Sequence, residues 1–270
     1  MGTDYDDWAG SYDPIDLLRT EDISFYVGLA KSLGSSVLDL TCGTGRVAIP
    51  MGQAGLDVVG VDNSSNMLRL AKKRLDEATG VQGSLEFVQN DVMDLNLGRE
   101  FDLAVIPYNS FLLFLNTVDQ RVVLDRVYEH LRPGGRLALD VFTPDLWRLT
   151  REDSQLYHRA DVADPENGKR HVLWEQSNTD NLNQIIESRY ILETLRPDGL
   201  VESRTYKDVV FRYIHRYEML HLLTLSGFEK AEVYGDFLNG DLFEDSEIMV
   251  WVATKPDTVA ERSRLSIESA

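Results

Sequence analysis

Between residues 36 and 141, short apolar runs alternate with segments of helical period, and this alternation limits the fold more than any other feature of the chain. The apolar runs are Ser36 to Leu40, Val58 to Val61, Leu85 to Val88, Leu103 to Ile106 and Arg136 to Val141. The helical segments are Val47 to Ala54, Met67 to Leu75 and Val118 to Leu131. Strands that alternate with helices connect by right-handed crossovers into a parallel sheet covered on both faces. Local punctuation agrees. Asn63-Ser64-Ser65 supplies caps ahead of the Met67 helix, and Arg132-Pro133-Gly134-Gly135 stops the helix that ends near Leu131. The expected class is α/β, a doubly wound, mostly parallel sheet. Pro14 to Leu33 reads as one or two amphipathic helices ahead of it.

After Thr143 the pattern changes to longer alternating runs: Val172 to Gln176, Ile185 to Leu195 and Val201 to Tyr213. The last two are joined by Pro197-Asp198-Gly199, a hairpin signal because proline presets the turn and glycine accepts positive φ. A small antiparallel sheet is therefore inserted. The chain then returns to a helix, Arg216 to Leu225, and to two strands, Lys230 to Tyr234 and Glu247 to Ala253. The expected division is a helical cover (1–35), an α/β core (36–142), the inserted sheet (143–213), a segment completing the core (214–255) and a loose polar tail (256–270).

Charge narrows the partners. Lys and Arg total 27 against 45 Asp and Glu, a net charge of -18 in 270 residues, so polyanions meet a repulsive field. Nucleic acid and anionic membrane are excluded as expected partners. The acidic N-terminus does not resemble a signal peptide, and a cytoplasmic protein is expected. Cys42 is the single cysteine and has no second thiol for a disulfide or a metal. The five histidines show no metal spacing, and no metal site is expected. His130 reads as a residue at a helix C-terminus interacting with the dipole.

Val37-Leu38-Asp39-Leu40-Thr41-Cys42-Gly43-Thr44-Gly45-Arg46 leads a strand into a glycine loop, which admits two ligands. Gly43-Thr44-Gly45-Arg46-Val47-Ala48 satisfies the dinucleotide fingerprint, whose amides receive a pyrophosphate. Asp39, at the strand end, would repel a phosphate and attract an ammonium group. A cofactor with a cationic amino-acid end and a nucleoside end fits better, and S-adenosylmethionine has both. The other strand ends supply matching groups. Asp62 can accept both ribose hydroxyl protons, Asp91 can accept from the adenine amino group, and Met67 could cover an adenine face. Each has a plainer reading as well: Asp62-Asn63-Ser64 is an N-cap cluster, Asp91 could cap a turn, and a helical Met is usually core.

The stretches VLDLTCGTG, VVGVDNS, NDVMD and FDLAVIPYNSF resemble the successive motifs of class I S-adenosylmethionine-dependent methyltransferases over residues 36 to 141. The Asn109-Ser110-Phe111 stretch and the inserted sheet resemble the glycine N-methyltransferase-like and sugar N,N-dimethyltransferase branch. The resemblance implies that an N-terminal segment closes over the cofactor, with Tyr12 and Arg19 near its methionine carboxylate. The residues expected to hold the cofactor are Tyr12, Arg19, Asp39, Thr41, Cys42, Gly43, Gly45, Asp62, Asn63, Met67, Asn90, Asp91, Val92 and Pro107. Thr41 departs from the family pattern, which has a glycine there.

On the acceptor side, Tyr108, Asn109, Arg212 and His215 are the expected contacts. Asn109 reads equally as a cap of the following helix, Arg212 as a surface ion pair, and His215 as the poor cap of the Arg216 helix. Ile106-Pro107-Tyr108-Asn109 is similar to the Asn/Asp-Pro-Pro-aromatic motif of enzymes that methylate bases or glutamine, but Ile106 lacks the group that binds the target nitrogen. Metal-assisted catechol-type chemistry would need an acid at the same strand end. The expected function is methyl transfer to a small molecule, an amine before a hydroxyl or carbon, because an amine needs no placed base. The alternatives are a non-catalytic cofactor-binding module and an NAD(P)-dependent oxidoreductase. The inserted sheet has an edge or face to cover, which suggests a homodimer.

Overall fold

The structure, a computed structural model, describes residues 20–144, 149–163 and 168–257. Helix α1 (Glu21–Leu33) precedes an alternating core: β1 (Ser36–Leu40), α2 (Ala48–Gln53), β2 (Asp57–Asp62), α3 (Ser65–Glu77), β3 (Leu85–Gln89), β4 (Phe101–Ile106), α4 (Thr117–His130) and β5 (Leu131–Phe142). An insert of β6 (Leu156–Ala163), β7 (Arg170–Asp180), β8 (Ile185–Leu195) and β9 (Val201–Arg212) follows. Helix α5 (Arg216–Leu225), β10 (Glu229–Tyr234) and β11 (Ile248–Thr254) complete the order.

The large sheet runs β10-β11-β5-β4-β1-β2-β3. Its five strands from β3 to β5 are parallel, whereas β11 is antiparallel to both β5 and β10. Side chains of the central strands alternate between two apolar layers. Val37, Leu103 and Val105 meet α1 and α2 through Tyr26, Ala30, Ala48 and Met51. Leu38, Leu40, Ala104 and Ile106 meet α4 and α5 through Val123, Val127, Met219 and Leu223. Burial on both faces is why these strands are mostly apolar.

The start of α3 is capped as expected, and α4 is capped in the same way. The Ser64 hydroxyl accepts the Met67 amide at 3.1 Å at the start of α3, and Asn116 accepts the Asp119 amide at 2.9 Å at the start of α4. At the other end of α4, the buried ammonium of Lys255 donates to the carbonyls of Tyr128 and Leu131. His130 bonds through both nitrogens, Nε2 with the Leu97 amide at 3.0 Å and Nδ1 with the Arg126 carbonyl at 2.7 Å. Its role is thus to join α4 to the preceding loop as well as to sit at a helix end.

The insert is an antiparallel sheet in the order β6-β7-β8-β9. Gly199 adopts φ 85° in the expected hairpin, and Arg196 donates to the Leu200 carbonyl at 2.8 Å to close it. Strand β6 was not expected from the sequence. The insert meets the core where Val209, Phe211 and Tyr190 pack on Met67, Leu70 and Leu113. Among the described residues, no helix is long and apolar enough to cross a membrane. Among the same residues, no cluster of three or more His, Cys, Asp or Glu could hold a metal.

Candidate active site

The glycine loop turns sharply because Thr41, Gly43 and Gly45 all have positive φ, 55°, 54° and 79°. The loop also packs closely on β2 and β3. A Cβ on Gly60 would lie 2.9 Å from the Cys42 sulfur, and one on Gly45 would lie 3.0 Å from the Phe87 ring. Asp62, at the end of β2, fastens the loop. Its Oδ2 accepts the Gly43 amide at 2.8 Å, while Oδ1 accepts the Ser64 amide at 2.9 Å. A carboxylate offers about four lone-pair positions, so Asp62 can hold the loop and still accept from a ligand.

Asp39 is placed differently. It is 1% exposed, and neither of its oxygens has a hydrogen-bond partner among the described residues. Burial pushes its carboxyl up to about 8, and the charges of Asp62 and Asp22 push the same way. The Arg46 guanidinium is the largest opposing influence and the Ala48 amide the smallest. Asp39 lines a cleft with Thr41, Gly43, Arg46, Pro107 and Tyr108. An unpartnered buried carboxylate is costly unless a cation or donor completes it, so the cleft fits a ligand with a positive end.

The opposite wall is the turn after β4, where Tyr108 and Asn109 both adopt left-handed backbone, φ 61° and 62°. The Tyr108 amide donates to Asp140 Oδ1 at 2.8 Å, and the Asn109 side chain accepts the Phe142 amide at 2.6 Å. Asn109 precedes the 3-10 turn Ser110–Leu113 without making a side-chain cap bond. The cap reading is therefore corrected: the side chain ties this turn to the end of β5.

Other expected residues lie as follows. Asp91 is exposed and caps the turn Val92–Asp94 by accepting the Met93 amide at 2.9 Å. Asn90 donates its amide to the Asp62 carbonyl at 3.1 Å, and Val92 is buried. Asn63 is exposed, and its carbonyl accepts from Gln89 at 3.2 Å. Met67 is 2% exposed and packs against the insert, which is the core reading. Tyr12 and Arg19 lie outside the described residues.

Arg212 requires a correction. It is buried, and its guanidinium donates to Gln120 at 3.1 Å, Gln184 at 3.0 Å and Glu218 at 2.5 Å. These partners lie on α4, before β8 and on α5, not on the Asp39 cleft. Alternation along β9 is the reason, because Phe211 shares the core-facing side with Val209 and turns Arg212 the other way. The surface ion pair is corrected too, since the pair with Glu218 is largely buried. His215 is exposed at the start of α5, makes no cap bond and meets the Tyr213 ring edge-on at 5.6 Å.

Residues 37–135 match a family model described as a methyltransferase domain. The chain carries an S-adenosylmethionine-dependent methyltransferase domain. S-adenosylmethionine is the cofactor of this methyltransferase domain. The cypemycin N-terminal methyltransferase of a Streptomyces species is 33% identical over 138 residues, covering 51% of this chain. The matched stretch spans 47% of that relative's length. The CcbJ methyltransferase of Streptomyces caelestis superposes with a TM-score of 0.72 at 24% identity, over 86% of this chain and 93% of its own. The sugar N-methyltransferase KedS8 of a Streptoalloteichus species gives 0.66 at 20% identity, over 95% and 94%. These two likenesses show a shared methyltransferase fold.

Sequence reasoning missed four residues around the methyltransferase cleft. Asp22 and Tyr26 of α1, Arg46 after the last loop glycine, and Asp140 of β5 join one another across it. Arg46 had a local signal, a cation placed between a glycine loop and its helix. The other three are recognisable only once the sheet brings them together.

Proposed function

We propose that this protein transfers a methyl group from S-adenosylmethionine to a small-molecule amine. The observation that carries the reading is Asp39, a buried carboxylate without a hydrogen-bond partner facing the cleft beside the glycine loop. When bound, the cofactor supplies a sulfonium that makes its methyl group electrophilic. The protein's task is to hold a nucleophile in line with that group and to exclude water.

In this reading Asp39 receives the cofactor's ammonium, and Asp62 adds ribose contacts to its bonds with the loop. Asn90, Asp91 and Val92 lie along the adenine, and Thr41, Cys42, Gly43 and Gly45 line the amino-acid end. Pro107 and Tyr108 face the acceptor, and residues 143–213 form the acceptor side of the site. An amine suits this arrangement because it can lose its proton to water before it attacks, with no placed base. The names of the cypemycin N-terminal and sugar N-methyltransferases support nitrogen as the target.

Calorimetric titration with S-adenosylmethionine, S-adenosylhomocysteine and NADH tests the cofactor, and preference for NADH overturns the reading. Transfer of labelled methyl groups across matched amine, phenol and carbon-acid panels tests the acceptor. Turnover confined to phenols or carbon acids replaces the amine. Tight cofactor binding without turnover of any panel member points to a binding module.

A further inference from the structure

Five residues close a ring around the cleft. Asp22, 0% exposed on the first turn of α1, receives both terminal nitrogens of Arg46, at 2.8 and 2.6 Å. The Arg46 guanidinium lies over the Tyr108 ring, 4.9 Å from its centroid. The Tyr108 amide donates to Asp140 Oδ1, and the same oxygen accepts the Tyr26 hydroxyl at 2.7 Å. Tyr26 returns the ring to α1, one helical turn beyond Asp22 and on the same face. One helix therefore grips both walls of the cleft: the glycine loop through Asp22 and the turn after β4 through Tyr26.

We propose that Asp22 and Tyr26 are positioning residues for methyl transfer, acting through Arg46 and Asp140 to hold the glycine loop and the Tyr108 turn in register. This rests on the methyltransferase reading of the cleft. The geometry shows how each acts. Asp22 draws the Arg46 guanidinium across the Tyr108 face, so that this cation does not compete with the cofactor's ammonium for Asp39. Tyr26 fixes the carboxylate that holds Tyr108 in left-handed backbone, a conformation that a bulky residue keeps only when its surroundings enforce it. Two further observations favour a positioning role over simple packing. Arg46 and Tyr108 themselves line the cleft, and the paired charges of Asp22 and Arg46 both act on Asp39.

The electrostatic part has a definite sign. Arg46 favours the ionised form of Asp39, whereas Asp62 and Asp22 disfavour it. Burial pushes the Cys42 thiol up, and the charges of Asp39 and Asp62 add to this. Neutralising Asp22 should therefore move the titration of Asp39 downward. It should also weaken binding above that midpoint, because the Asp22 charge no longer offsets the Arg46 charge that acts on the Asp39 site.

The test measures S-adenosylhomocysteine affinity by calorimetry from pH 6 to 9, as the ratio of variant to wild type so that the ligand's own titration cancels. For Asp22→Asn the proposal expects a lower midpoint and at least threefold weaker binding on the alkaline plateau. An unchanged midpoint with only a lowered Tm shows a fold contact and overturns the role of Asp22. If Asp22→Asn does not fold, the double variant Asp22→Asn/Arg46→Gln leaves neither charge alone. Its midpoint must then rise, because the Arg46 influence on Asp39 is the larger, and an unshifted midpoint again overturns the role. For Tyr26→Phe, amide exchange at Tyr108 should quicken at least tenfold while exchange along β4 stays as in wild type. Unchanged exchange at Tyr108, or a uniform rise along β4 and β5, overturns the role of Tyr26. Wild-type protein that binds no S-adenosylhomocysteine instead removes the methyltransferase reading, an outcome separate from either failure.

Discussion

The Phe142 amide donates to Oδ1 of Asn109 at 2.6 Å, so the last residue of β5 is fastened to the turn that follows β4. Asn109 serves this turn in two ways, because asparagine tolerates φ 62° better than other residues with a Cβ and its side chain reaches the neighbouring strand. Asn109→Ala should lose both advantages and cost about 1–3 kcal/mol, whereas Asn109→Gly, which keeps the backbone, should cost about 1 kcal/mol. Urea unfolding of the two variants separates the contributions. Equal losses would mean that the backbone conformation is not strained.

Asp39 should trade stability for binding. Its folded-state carboxyl titrates near 8 against 3.8 in an unfolded chain, so its ionised form opposes folding. The penalty is absent below the unfolded value, grows from there to about pH 8 and is constant above. Asp39→Asn should stabilise the cofactor-free protein by about 2–4 kcal/mol at pH 7 and by little at pH 4, while weakening S-adenosylmethionine at least tenfold. Melting curves at the two pH values, paired with titration, check this. A variant that is no more stable than wild type at pH 7 would contradict the assigned burial cost.

Arg212 should matter to the fold before it matters to the ligand. Arg212→Met leaves Glu218 largely buried without its cation and strips a donor from Gln120 and Gln184. The expected loss is about 3–5 kcal/mol, with S-adenosylhomocysteine affinity within twofold of wild type at a temperature where the variant is folded. Weakened cofactor binding without destabilisation would place the guanidinium nearer the cleft.

Thr41 occupies left-handed backbone, φ 55°, that a β-branched residue adopts at a cost of about 1–2 kcal/mol. Glycine removes that cost but loses more chain entropy on folding, about 0.5–1 kcal/mol. Thr41→Gly should therefore raise stability by up to about 1 kcal/mol. Thermal unfolding decides the sign, and a clear loss would show that the threonine side chain holds the loop.

Legibility in the sequence followed the range of the interactions. Strands β1, β2 and β4 were readable because burial on both faces writes itself as a mostly apolar run. The hairpin at Pro197-Asp198-Gly199 was readable because its turn chemistry is local. Strand β6 was not, since Val162 is its one buried residue and the rest of LYHRADVA carries no clear alternation. The direction of Arg212 depends on how the insert docks against Met67 and Leu113, which alternation within one strand does not settle. Tyr26 and Asp140 are 114 residues apart and meet only because the sheet order sets β5 close to α1.

The antiparallel entry of β11 between β5 and β10 fixes when the sheet can be finished during synthesis. Residues 248–254 are translated after the whole insert and β10, yet they supply the partner that β5 needs along seven paired positions from Arg136 to Phe142. Until they leave the ribosome, the nascent chain carries an unpaired edge beside the apolar surface that Trp251 will cover. Release short of residue 254 therefore yields an adhesive half-sheet and not a smaller domain.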